Sequence, residues 1–171
     1  MTSLLRKVQH SRWYDAVSCR NEPVPADPLS DLGTKHNRLS VWQVLSSDSN
    51  LEDIIAAIAA TRAYLTNIDV VLIDEQSISQ LGIKVEPTQG QTPLAHATDY
   101  HRDLVQLQAQ TLVNIADVIR NRAVFRDFSE KQVGQLLARY IHEGRLNAFD
   151  LADKLRLHLE RKNWISPAPG T

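Results

Sequence analysis

The sequence predicts an α/β fold: a small, mainly parallel sheet of three strands with flanking helices, one long helix and a C-terminal helical hairpin. Three observations carry that expectation. The run Val70-Val71-Leu72-Ile73 is aliphatic and mostly β-branched, and it stops abruptly at Asp74 and Glu75, so it is too short for a core helix and reads as a strand covered on both faces. Leu39 to Leu45 alternates as a second strand, with Leu39, Val41 and Leu45 on one face and Trp42 and Val44 on the other. The stretch between them has helical spacing, and strand, helix and strand in that order read as a parallel βαβ unit.

The remaining elements follow from local pattern. Ser3 to Val17 carries Leu4, Leu5, Val8, Trp13 and Tyr14 at mixed spacing, which fits a short amphipathic helix in an N-terminal arm. Pro23, Pro25 and Pro28 impose an extended strap after it. Ser49 and Glu52 have capping-box spacing for a helix that runs to about Leu65, with Asn67 suited to its left-handed cap. Asp74 can cap a short helix ended by Gly82, and Ile83 to Glu86 gives a third strand halted by Pro87. Thr92-Pro93 opens the long helix, which continues without glycine or proline to about Arg122. Ser129 with Gln132 and Asn147 with Asp150 start the two helices of the hairpin, the first closed by Gly144. The resulting organisation is an arm and strap over 1–34, an α/β core over 35–123, the hairpin over 124–165 and a disordered tail over 166–171.

Composition narrows the class. The 171 residues suit one domain with a helical extension. Cys19 has no second cysteine to pair with, which excludes an internal disulfide or a Cys-x-x-Cys motif and points to a reducing cytoplasm. Arg6 and Lys7 interrupt any secretory core, and the longest apolar run, Ile54 to Ala60, is far too short to span a bilayer, so no membrane partner is expected. Residues 1–119 hold nine Lys/Arg against fourteen Asp/Glu, and residues 120–171 hold ten against six. The basic C-terminal part, with Arg139, Arg145, Lys154, Arg156, Arg161 and Lys162, is compatible with an anionic partner, nucleic acid included. Its cations alternate with Glu143, Asp150, Asp153 and Glu160, as on an ordinary solvated surface.

Two clusters offer chemistry. Asp74 and Glu75 at the end of the central strand have the shape of a Walker B acid pair, but no glycine-rich phosphate loop accompanies them. What remains is a magnesium or manganese site for phosphoester or nucleic-acid hydrolysis. Its candidate catalytic groups are Asp74, Glu75, Lys84 and His96, and its candidate metal ligands are Asp74, Glu75, His96, Asp99 and Asp103. Against it, a helix cap accounts for Asp74, the positive helix end accounts for Glu75, and the solvated side of a helix accounts for His96, Asp99 and Asp103. Patterns for a nucleophile elbow, a dinucleotide fingerprint and a zincin helix are missing. The expectation is therefore a cytoplasmic, non-catalytic subunit without cofactor that binds another protein chain or a second copy of itself. Metal-dependent hydrolysis is the alternative, and nucleic-acid binding through the basic helices is the third.

Overall fold

A computed structural model of the chain describes residues 2–167. In chain order it forms β1 (Ser3–Val8), α1 (Tyr14–Ser18), α2 (Ala26–Ser30), β2 (Leu39–Val44), α3 (Leu51–Ala60), β3 (Ile68–Asp74), α4 (Glu75–Gln80) and β4 (Lys84–Pro87), then β5 (His101–Val105), α5 (Ala109–Arg122), β6 (Val124–Phe128), α6 (Glu130–His142) and α7 (Asp153–Arg161). The strands make one six-stranded antiparallel sheet in the order β4-β5-β2-β1-β3-β6.

This corrects the expected small, mainly parallel, three-stranded sheet. The stretch read as an amphipathic helix, Ser3–Val8, is a central strand: Leu5 lies opposite Trp42 of β2 on one side and Leu72 of β3 on the other, both antiparallel. Leu4 and Leu5 are adjacent in sequence and both fully buried. A strand covered on both faces shows no alternation, so the mixed spacing concealed it. β2 and β3 each run antiparallel to β1, so they point the same way, yet β1 fills the slot between them and they never pair.

The expected long helix is three elements. Ala95–Tyr100 is a 3-10 segment, His101–Val105 is β5, and only Ala109–Arg122 is α-helical. β5 bonds β2 on one side and β4 on the other, which fixes it as strand against its helical pattern. Gln106 then takes φ 59, which ends any regular run, and the Gln108–Thr111 capping box restarts the helix. β6 was not anticipated from the sequence.

Several local expectations hold as read. Asp74 caps α4, with Gly82 at φ 71 just past its end, and Ser129 with Gln132 forms a reciprocal capping box on α6. Ser49 does not cap α3, whose N-cap is Asn50. Of the tail read as disordered, residues 168–171 lie outside the described residues.

The chain divides into two compact units. The first comprises the chain up to Ser49, Asp69–Gln89 and Asp99–Asp127, and carries the sheet. Its core lies on one face, where Leu4, Val41, Val71 and Leu104 meet Ile115 and Ile119 of α5. Trp13 is sealed into that core, and its indole N–H donates to Asp31 Oδ2 at 2.9 Å, a bond that a buried indole requires. The second unit comprises Asn50–Ile68, Gly90–Thr98 and the chain from Phe128, and is helical, with α3 against α6. There the ring of Trp164 lies directly over Gly134, in space that any side chain on that residue would occupy.

Candidate functional site

The acids singled out in the sequence are engaged in architecture. Asp74 Oδ2 accepts from the Ser77 N–H at 3.0 Å and from Ser77 Oγ at 3.1 Å, which is helix capping. Glu75 Oε2 accepts from Thr2 Oγ1 at 2.7 Å and Gln43 Nε2 at 3.4 Å. Asp103 accepts from Ser40 Oγ at 3.1 Å, with Arg38 at 3.6 Å. Lys84 on the edge strand pairs with Glu86 at 2.7 Å. Asp99 is exposed, and it is the backbone carbonyl of that residue that accepts from Arg102, at 2.6 Å.

Sheet order keeps these groups apart. Asp103 on β5 and Asp74 on β3 have β2 and β1 between them, a separation of about 14 Å at strand spacing. Lys84 on β4 is one strand further. Among the described residues, no group of three or more His, Cys, Asp or Glu is arranged to hold a metal ion.

His96 belongs to the second unit, where it joins a network the sequence did not disclose. Its centre is Asp53, in the first turn of α3. Asp53 Oδ1 accepts from the Tyr140 hydroxyl and from an Arg145 N–H, each at 2.5 Å, and lies 3.5 Å from His96 Nε2. Arg145 also donates to His96 Nε2 at 3.0 Å, so that nitrogen carries no proton while it accepts. The guanidinium of Arg145 stacks 4.0 Å above the Tyr140 ring. Beside this core, Arg139 reaches Glu52 at 2.5 Å and Glu143 at 3.9 Å.

Local folding explains the convergence. Gly144, at φ 68, closes α6 and turns the chain back, so that the Arg145 N–H bonds the Tyr140 carbonyl at 2.9 Å and the side chain falls over that ring. Thr92 Oγ1 donates to the Ala57 carbonyl at 3.1 Å, which pins the His96 segment to α3. Burial works to raise the Asp53 carboxyl, but hydrogen bonds from Tyr140 and Arg145, with the charge of Arg145 beside it, outweigh it and hold the group below the usual carboxylate range. Burial and the bond to Asp53 push the Tyr140 phenol far upward, so it stays a neutral donor.

In chemical terms the network is a clamp. One carboxylate takes a phenol and a guanidinium, every charge in the core has an opposite neighbour, and no serine, threonine or cysteine stands in it. A cleft of about 350 Å³ adjoins it, lined by Glu52, Phe128, Gln132, Gln135, Leu136 and Arg139. Sequence reasoning missed Asp53, Tyr140 and Arg145. The available signal was the Tyr140–Gly144–Arg145 spacing at a helix end.

Compared with protein-family models, curated proteins and solved structures, the chain matches none. Among the described residues, no helix is long and apolar enough to cross a membrane.

Proposed function

We propose that this chain is a non-catalytic interaction subunit that works by binding another protein. An aromatic N-terminal arm offers no ground for it, because Ser3–Val8 is a central strand and Trp13 is buried, and neither does an overlong helix, because that stretch is three elements. A different observation carries it. In the second unit, Tyr64 and Phe149 are 57% and 66% exposed, and each is held against a cation: Lys154 stands 4.9 Å from the Tyr64 ring, and Arg156 stands 5.7 Å from that of Phe149. Exposed tyrosine, phenylalanine and arginine side chains are residue types in which protein interfaces are enriched. The acids once read as catalytic support the same view, since each already has a structural bond.

Light scattering over a concentration series, joined with affinity capture on the immobilised chain, tests this reading. The wild type is expected to hold a stoichiometric protein partner, either a second copy or another chain, and Tyr64→Ser/Phe149→Ser to weaken that association at least tenfold. A strictly monomeric chain that captures nothing overturns the proposal, and so does capture that the double variant leaves unchanged.

A further inference from the structure

We infer that the outer face of α7 docks an acidic segment of a protein partner, one with an apolar side chain between its carboxylates; this rests on the interaction reading above. The helix buries Leu155 and Leu159. Lys154, Leu157 and Arg161 follow one another at i, i+3 and i+7 and therefore share a single face, away from those two leucines. That face is open: Leu157 is 38% exposed, and Lys154 and Arg161 are exposed as well. Tyr64 extends it, its hydroxyl accepting from Lys154 Nζ at 2.6 Å.

Charge accounting selects the partner. The acids of α7 lie on the flank next to this face, beside Leu157, where Asp153 and Glu160 are already engaged by Arg156 at 3.2 and 2.9 Å. Lys154 is bonded to the Tyr64 hydroxyl and has no ion-pair partner among the described residues. Arg161 and Lys162 have no ion-pair partner among the described residues. Cations at a helix C-terminus are favoured by the dipole, which accounts for Arg161 and Lys162 but not for Lys154 in the first turn or for the exposed Leu157 and Tyr64.

Geometry narrows it further. Lys154 and Arg161 are seven residues apart, about 10 Å along the axis. Carboxylates at i and i+7 of a helix, or three residues apart in an extended chain, match that span, and an apolar side chain between them meets Leu157 and Tyr64. Tyr64 and Arg161 present planes on which a base stacks, so it is Leu157, the aliphatic side chain in the middle of the face, that favours a peptide over single-stranded nucleic acid.

The test uses the full chain and fluorescence anisotropy of a labelled peptide built from Glu-Leu-Leu-Glu-Glu-Leu-Phe-Glu repeats. Parallel arms use the same peptide with glutamine for glutamate, a labelled oligothymidylate, and phosphatidylserine vesicles. The acidic peptide is expected to bind, more weakly as salt rises. Lys154→Glu/Arg161→Glu is expected to lose at least tenfold in affinity and Leu157→Ser several-fold. Lys131→Glu, on α6, should stay within twofold, with circular dichroism confirming that each variant is folded. Three results overturn the assignment: no binding of the acidic peptide, equal binding by the double reversal, or tighter binding of oligothymidylate or vesicles than of peptide. Partner capture by the whole chain separates this from the wider reading. Capture kept by Lys154→Glu/Arg161→Glu but lost in Phe149→Ser sinks only the α7 assignment, whereas no capture by any form sinks both.

Discussion

Asp74 separates two roles that a carboxylate at a strand end can play. As an N-cap it needs only an acceptor oxygen, and asparagine caps about as well as aspartate. Asp74→Asn is therefore expected to keep its denaturation midpoint nearly unchanged, while Asp74→Ala loses about 1 kcal/mol. A magnesium titration should shift neither midpoint, since a metal bound to the native state must raise it. Asp53 is the opposite case, because there the charge itself is used. Asp53→Asn removes the nearer of two carboxylates around the Arg145 guanidinium, leaving Glu143 at 3.7 Å, and should cost about 1–3 kcal/mol at neutral pH. The carboxyl is held below its usual range in the folded chain, so its contribution is present above the unfolded value near pH 4 and disappears as pH falls through the folded one. Denaturant melts at successively lower pH should show wild type converging on the variant; a gap that stays constant down to about pH 3 contradicts the network's charge assignment.

Among the elements, α6 gives the sharpest sign test. Glycine inside a helix normally loses about 0.5–1 kcal/mol relative to alanine, so Gly134→Ala judged by propensity alone should stabilise. The Trp164 ring occupies the space of the new methyl, and the variant is instead expected to lose about 1–3 kcal/mol with a red-shifted tryptophan emission. Replacing Trp164 by alanine in the same chain should restore the favourable sign. How legible each element was depended on where its information lies. The caps of α4 and α6 are settled within four residues, and Asp74, Ser129 and Gln132 showed them plainly. β3 was visible because β-branched residues filled it. β1 and β5 were not: Leu4-Leu5 is buried on both faces, and His101–Val105 is a strand only because strands distant in sequence flank it on both sides. The site was less legible still. His96 was named for a metal and its real neighbours, Asp53 and Arg145, come from α3 and the turn after α6, segments that no local motif connects.

For the molecule as a whole, the sheet order changes what the N-terminal segment means. An arm could be removed with little loss, whereas β1 is the shared neighbour of β2 and β3. Deleting residues 1–8 should expose two long unpaired strand edges and move the protein to the insoluble fraction; a soluble truncation with native circular dichroism refutes the central placement. The same placement bears on how the chain comes off the ribosome. Ser3–Val8 emerges long before Leu39–Val44 and longer still before Ile68–Asp74, so a strand from the middle of the sheet is synthesised with neither of its neighbours in existence. Until the third strand clears the exit tunnel, this apolar segment has nothing to pair with, so the hazard of aggregation falls on the nascent polypeptide more than on the finished one.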